Sequence, residues 1–341
     1  MGVFRPVGRK PVTLKDIAAD TGYSITTISH ALKDMSDISE ATKAHVRERA
    51  QALGYIGNAS ASSLRSGVSH TIAVLLGDLS NPHFSFMAKE IETYLRQKDY
   101  SAFFMDTEED EEVERKAIVL ALSKRVDGIV ICPAQNRNSS ENIRFILGAH
   151  VPCVLIGRHF PDLSHNYVVC DDRKGGMLAA QHLLAHGHRR ILYVDTPIQN
   201  SSARERREGF EQALREWPDP VEHTVICFDE EGRYISSLAD RQGGTPYTAV
   251  VVFNDLIAWD LLCRLPAYRL RVPEDLSLIG FDNLHSYLPL PFPLTSISSS
   301  KIAMPRKAVD LLIEQIRDPH IPCSHLTLDV ELIERPSVRA L

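Results

Sequence analysis

Two sets of polar residues in this chain have types and spacings suited to recognition chemistry. The first lies between Ser24 and Lys33, where Thr26, Thr27, Ser29, His30 and Lys33 share one face of a short helical segment and Ile28 and Leu32 hold the other. Hydroxyls and an imidazole placed this way can hydrogen-bond base edges, and the N-terminus of such a helix can face phosphate. The solvated face of a plain three-helix bundle carries the same pattern. The second set stands where apolar runs stop: Asn81-Pro-His83-Phe84, Gly157-Arg158, Asp171-Asp172, Asn254-Asp255 and Asp282-Asn283, with Arg206 three residues before Gly209-Phe210. Taken singly, each fits a helix cap or a turn.

Bond-making chemistry is not indicated. There is no GxxxxGK[ST], HExxH or GxSxG, and Asp171-Asp172 has no accompanying histidine set. Gly175-Gly176 and Gly243-Gly244 do not form a dinucleotide fingerprint. Cysteines 132, 153, 170, 227, 263 and 323 are scattered without CxxC spacing, which argues against a structural zinc site and a disulfide scaffold. The expectation is a chain without catalytic residues, metal or cofactor.

The elements that would position these groups follow from pattern. The 341 residues, 44% hydrophobic and 24% charged, suit two or three globular domains at about 100–200 residues each. Net charge is −6, which excludes a uniformly basic coat, yet residues 1–66 hold nine Lys/Arg against six acids, a net +3 on an otherwise acidic chain. Thr13-Leu-Lys-Asp16 has capping-box spacing and opens a helix with Leu14, Ile17 and Ala18 inward. Gly22 breaks it, Ser24 caps a second helix to Leu32, and Ser39 to Leu53 forms a third with Val46, Ala50 and Leu53 inward and Lys43, Arg47 and Arg49 outside. Two short helices across a glycine turn make a helix-turn-helix unit. Tyr55 to Gly67 is small and polar, a linker by composition.

From residue 70 onward strands and helices alternate. Strands are expected at 71–76, 101–105, 128–132 and 154–156, and a second series is expected to open at Tyr167-Val-Val and continue through 190–194, 225–228, 249–253 and 277–281. Six acids in seven positions from Glu108 to Glu114 read as a solvated helix start. This rhythm implies parallel sheets covered by helices, in two similar lobes with a cleft at the strand C-termini. No apolar h-region opens the chain and no run of about 18 apolar residues occurs, so a soluble cytoplasmic protein is expected.

The run TLKDIAADTGYSITTISHALKDMSDISEATKAHVRERAQALGYIGN, with DGIV, AHGHRRI, SSARERREGF, VPEDLSLIGFDN and LTSI further on, resembles the lactose/galactose repressor (LacI/GalR) family of bacterial transcription regulators over essentially the full length. The resemblance implies a small all-α helix-turn-helix head and an α/β two-lobed periplasmic-binding-protein-like body with parallel sheets. It divides the chain into a tail (1–12), a DNA-binding domain (13–56), a hinge (57–69) and an effector-binding domain (70–341). The N-lobe would comprise about 70–165 and 299–329, and the C-lobe about 166–298 and 330–341. Ile25, Thr26 and His30 fall where the family reads the major groove, the Thr26/His30 pair being similar to its purine-repressor branch. Ile25 would touch a thymine methyl. Thr13, Ser24, Thr27 and Ser29 join the DNA-binding set, the serines and Thr27 as phosphate contacts. Leu64 matches the family's minor-groove wedge, with Arg65 beside it. Gly57 stands for a usual Pro and Ser62 for a common Arg, both lowering hinge-helix propensity or phosphate contact.

In the body the resemblance makes Arg206, Asn254 and Asp282 contacts to effector hydroxyl or carboxylate groups, with His83 and Phe84 flanking the ligand. Arg158 becomes a polar contact because Gly157 stands where some relatives carry Asp. The implied function is a non-enzymatic, operator-binding regulator acting as a homodimer on palindromic DNA, controlled by a small effector, a sugar or sugar derivative. Two rivals differ in what they need: a periplasmic sugar-binding protein needs a signal peptide and no head, and a sugar enzyme needs a catalytic constellation.

Overall fold

A computed structural model describes residues 12–56, 67–135, 140–239 and 244–341. Its contacts divide the chain into two compact units, Met1–Ser69 and His70–Leu341. Among the described residues no helix is long and apolar enough to cross a membrane.

The first unit holds α1 (Leu14–Thr21), α2 (Ile25–Leu32) and α3 (Glu40–Leu53). Asp16 accepts bonds from the Thr13 amide and hydroxyl at 2.7 Å each, and Gly22, at φ 75°, ends α1 in a conformation that favours glycine. Ser24 and Ser39 cap the next two helices by accepting from the Thr27 and Thr42 amides. Ile17, Ile28, Ala31, Val46 and Ala50 form the buried centre, flanked by Leu14, Leu32, Ile38 and Leu53. One expectation is overturned: Lys43 is buried rather than outside. Its ammonium reaches Glu40 at 2.8 Å and Asp34 at 3.3 Å, so it can lie against the core with its charge matched.

In the second unit β1 (Thr71–Leu76), β2 (Ser101–Asp106), β3 (Gly128–Ile131), β4 (Cys153–Ile156) and β5 (Asn166–Cys170) build one sheet. A second sheet holds β6 (Arg190–Asp195), β7 (Glu222–Cys227), β8 (Ala249–Val252), β9 (Ser277–Phe281) and β10 (Thr295–Ser298). The last strands, β11 (His325–Leu328) and β12 (Glu331–Ile333), add one edge to each. The orders are β11-β5-β4-β3-β1-β2 and β12-β10-β9-β8-β6-β7, with every neighbour parallel except β12 on β10.

The strand at Tyr167 therefore closes the first series instead of opening the second, because Asn166 pairs with Val154 of β4 and Tyr167 with His325 of β11. The connection from β4 to β5 contains no helix, and that break in the βα rhythm is what sequence pattern reads as a lobe boundary. The chain passes between sheets after Cys170, after Ser298 and between Leu328 and Glu331.

Each sheet is buried on both faces, so its strands are nearly continuous apolar runs. On the first, α4 (Pro82–Gln97) and a later helix cover Ile72, Val74, Val130 and Val154, while α5 (Glu111–Ser123) and α6 (Ser140–Gly148) cover Ala73, Leu75, Ile129 and Leu155. On the second, α7 (Asp172–Ala185) and α8 (Ser201–Glu216) pack on Ile191, Tyr193, Val251 and Ile279. A single turn, α9 (Ile235–Leu238), and α10 (Asp255–Arg264) take the opposite face. The later helix over the first sheet is α11 (Ala303–Arg317).

α7 and α8 cross with their backbones almost touching. A Cβ on Gly209 would lie 1.9 Å from the Arg173 carbonyl oxygen, and one on Gly176 would lie 1.9 Å from that of Arg206. The obstruction is backbone, which cannot swing aside, so a methyl must separate the helices. Gly209→Ala is expected to lower the unfolding free energy by ~1–3 kcal/mol, the range for overpacking, measured by urea denaturation; wild-type stability would show that the helices part without cost.

Candidate functional site

The strand ends surround one cavity of about 380 Å³. β1 leads into Asp78, Asn81, His83 and Phe84, β4 into Gly157 and Arg158, β8 into Phe253 and Asn254, β9 into Asp282, and β10 into Ser299, while α8 contributes Arg206. All six residues expected to touch a ligand, His83, Phe84, Arg158, Arg206, Asn254 and Asp282, line this space. Asn81, Asn200 and Asn254 cap α4, α8 and α10, each accepting a backbone amide through Oδ1. In that role each amide group keeps its Nδ2 for other partners.

Arg206 is the buried centre of the site. Its Nε donates to Asp172 Oδ1 at 2.7 Å and its Nη1 to the Phe253 carbonyl at 2.8 Å, while Nη2 lies 3.8 Å from Asp282 Oδ1. The guanidinium stands over the Phe281 ring at 4.0 Å and the Phe253 ring at 4.7 Å. Burial alone would depress its pKa, and Asp172 and Asp282 more than reverse that.

Asp282 is held at φ 93°, left-handed backbone that costs of order 1–3 kcal/mol for a residue with a Cβ. The turn is fixed from several sides. Asp282 N–H donates to Ile297 O, Lys301 Nζ donates to Asp282 O, and Arg335 reaches Asn283 Oδ1 at 2.6 Å. Asp255, which does not line the cavity, supports the same turn by accepting from the Leu284 amide and the Ser296 hydroxyl, and burial raises its pKa to about 7. Asp282 itself stays below the usual carboxylate range: burial opposes this, and His83, Arg206 and Lys301 overcome it.

Two buried polar atoms at the cavity have no hydrogen-bond partner among the described residues, His83 Nδ1 and Ser299 Oγ. His83 Nδ1 is 3.5 Å from Asp282 Oδ1, and burial drives the ring's pKa down to about 4, so it is neutral near pH 7. Apolar walls come from Phe84, Met87, Phe228, Phe253, Ile257 and Met304.

Arg158 departs from the expected role. Its Nη1 and Nη2 donate to the two oxygens of Glu109 at 2.5 and 2.7 Å, and Nη1 also donates to Pro133 O at 2.8 Å. A guanidinium committed in this way shapes the cavity wall instead of offering a fork to a ligand. The acidic run is likewise not a solvated helix start throughout. Glu109 holds Arg158, and Glu114 is fully buried, accepting from the Ala134 amide at 2.7 Å and Asn142 Nδ2 at 2.9 Å, with burial raising its pKa to about 7.

Glu109 and Ser299 are site residues that sequence pattern did not select, and Asp172 enters there only within the Asp171-Asp172 pair, with no ligand contact assigned to it. Asp172 alone carried a signal, as half of an acidic pair at a strand end.

In the head, Thr13, Ser24, Ile25 and Thr26 are exposed and Thr27, Ser29 and His30 half-buried, all but Thr13 at the start or on the outer side of α2. Ile25 is 45% exposed despite its apolar side chain. Ser24 Oγ serves as the helix cap and also bonds Thr27 Oγ1 at 2.9 Å. His30 Nδ1 is 2.7 Å from Asp37 Oδ2. A carboxylate only accepts, so Nδ1 carries the proton and Nε2 is the atom presented outward. Leu64 and Arg65 lie outside the described residues.

Comparison with known proteins covers both units. Residues 13–58 match the model for bacterial regulatory proteins of the lacI family. Residues 72–255 match a periplasmic binding protein domain and residues 180–338 a periplasmic binding protein-like domain. The chain is 32% identical over 337 residues to the HTH-type transcriptional repressor PurR of Actinobacillus pleuropneumoniae serotype 3 (strain JL03), covering 96% of this chain and 99% of that protein. Among solved structures it superimposes with TM-score 0.83 and 25% identity on the Lac repressor dimer bound to operator and the anti-inducer ONPF, covering 97% of this chain and 100% of the other. A LacI family transcriptional regulator from Enterococcus faecalis V583 with bound ribose gives TM-score 0.69 at 27% identity, covering 80% and 99%.

The Glu109–Arg158 pair is testable on its own. Glu109→Gln leaves a buried guanidinium without its counter-charge and is expected to destabilise the protein by ~3–5 kcal/mol in urea unfolding; a loss under ~1 kcal/mol would mean that the pair behaves as a solvated surface contact.

Proposed function

The chain belongs to the LacI/GalR family of bacterial transcriptional regulators, and we propose on that footing that it is a DNA-binding repressor controlled by a neutral polyhydroxylated effector, a sugar or sugar derivative, held in the cavity of the body. It is a regulator and not an enzyme, as its repressor relatives are. The observation that carries the effector reading is the composition of the cavity. Arg206 and Asp282 place donors beside acceptors, and His83 Nδ1 and Ser299 Oγ wait for partners. Hydroxyl groups, which both donate and accept, satisfy all of these at once.

Charge narrows the class further. Asp78, Glu109, Asp172, Glu230 and Asp282 outnumber Arg158 and Arg206 along the lining, a formal excess of three negative charges. That balance repels phosphate and carboxylate and favours an uncharged ligand, with Phe84 and Phe253 offering apolar faces to it.

In the head, Ile25, Thr26 and the Nε2 of His30 read base edges, while Thr13, Ser24, Thr27 and Ser29 set the register on phosphates. Leu64 enters the minor groove as an apolar wedge and Arg65 contacts the backbone beside it. The protein works as a homodimer, so that two heads about one helical turn apart meet a palindromic operator. It acts in the cytoplasm on nucleoid DNA. Functionally the chain divides into a head (13–56), a hinge (57–69) and an effector-binding body (70–341). Effector binding shifts the balance between lobe arrangements, and the spacing of the heads with it.

Two substitutions test this reading separately. Thr26→Ala should relax preference at one operator position by ~1–3 kcal/mol in competition binding to operator variants, and an unchanged profile would remove Thr26 from the readers. Arg206→Lys keeps the charge between its two acids but loses the fork. Affinity for the effector found in a thermal-shift panel of neutral sugars should fall by ~1.5–3 kcal/mol, with effector-free operator binding unchanged. Undiminished affinity would place the ligand elsewhere.

A further inference from the structure

We infer a second binding site, for a transition-metal dication such as Zn2+, at His182, His186 and Glu334, outside the cavity and on the far end of α7. The ligating atoms of the three side chains already lie within 4.8 Å of one another. Two histidines four residues apart sit on one helical face, which aims both rings at the same point. His182 belongs to the last turn of α7 and His186 is its C-cap, while Glu334 directly follows β12.

The protonation of the rings suits a metal. His186 Nδ1 lies 2.8 Å from the His182 carbonyl oxygen. A carbonyl only accepts, so Nδ1 carries the proton and Nε2 is left with its lone pair. This is the outer hydrogen bond that fixes the tautomer of metal-bound histidines. His182 Nε2 is buried without a hydrogen-bond partner among the described residues. The two rings lie side by side, 4.3 Å between centroids.

Glu334 is exposed, so its carboxylate can close the remaining gap by rotating. Zinc bonds of about 2.0–2.2 Å at the tetrahedral angle place neighbouring ligand atoms roughly 3.3–3.6 Å apart, so binding draws the side chains together from the 4.8 Å within which they now lie. Two imidazoles and one carboxylate select zinc, nickel, cobalt or copper over calcium and magnesium, with water completing the shell. Bound there, the ion would tie the end of α7 to the strand through which the chain returns from the first sheet to the second.

The test is zinc titration by calorimetry of the full-length protein after metal removal, beside His182→Gln and Glu334→Gln, each first shown to melt like wild type in chelator. The wild type should take one zinc per chain, and each variant should bind at least ~10-fold more weakly, since even outer partners of metal ligands are worth ~10–100-fold. Cobalt(II) added to the stripped protein should develop visible d–d bands that both variants lack. The chain has 14 histidines, so zinc bound equally by wild type and variants would assign it to other residues and overturn the site, as would no binding at all. Should His182→Gln fail to fold, Glu334→Gln, altered at an exposed position, decides the matter alone.

Discussion

A guanidinium enclosed in protein must be met by negative charge, and the body is organised around meeting that demand for Arg206. Its counter-charges arrive from separate parts of the chain: Asp172 opens the helix after the first sheet crossing, and Asp282 ends a strand of the second sheet. Phe281 and Phe253 shield it from either side. The glycine contact between α7 and α8 sets how near α8 lies to Asp172, so backbone packing decides whether the ion pair can form. The left-handed turn at Asp282 persists because the Lys301 ammonium, the Asp255 carboxylate and the Arg335 guanidinium each grip part of it.

The same cluster joins the lobes. His83 comes from the first sheet's side and faces Asp282 from the second. Nearby, the His159 amide donates to Ser201 Oγ, Ser202 Oγ donates to the Gly157 carbonyl, and the Ser201 amide donates to Gln135 Oε1. These bonds cross between the lobes and stabilise this arrangement of them. An effector changes the balance only by as much as its contacts differ between arrangements. Groups left unpartnered at the cavity, His83 Nδ1 and Ser299 Oγ, are where such a difference can arise.

Much of this was legible in the sequence, and the failures share a cause. The head's helices follow from capping residues and apolar spacing, which are local. Five of the six expected cavity residues follow strand ends, because an apolar run must stop somewhere and the chemistry of the next residues is then on view, whereas Arg206 stands in the second turn of α8. What sequence did not disclose was pairing at a distance. Arg158 reads as available until Glu109, in an acid run that looks solvated, is placed against it. Lys43 reads as exposed until Asp34 meets it across a turn. The strand at Tyr167 could join either sheet by composition, and only its neighbours β4 and β11 decide. Sequence pattern does not single out His182 and His186 as a pair, and Glu334 is brought to them solely by the return of the last strand.

The ion pairs inside the head bear on how it grips a duplex. Arg49 is bound to Asp20, and Arg47 and Lys43 to Asp34. Lys15 and Lys33 are the other described lysines and arginines of the head. Cations release condensed counterions from DNA only when they neutralise phosphate, and each such contact adds about −0.9 to the log–log slope of affinity against salt. For Lys43, Arg47 and Arg49 that release is partly offset by the internal acids they would have to leave. A duplex must draw these three side chains away from their acids before they contribute, so each adds less to the salt slope than an unengaged cation, and Arg5, Arg9, Lys10 and Arg65 lie outside the described residues.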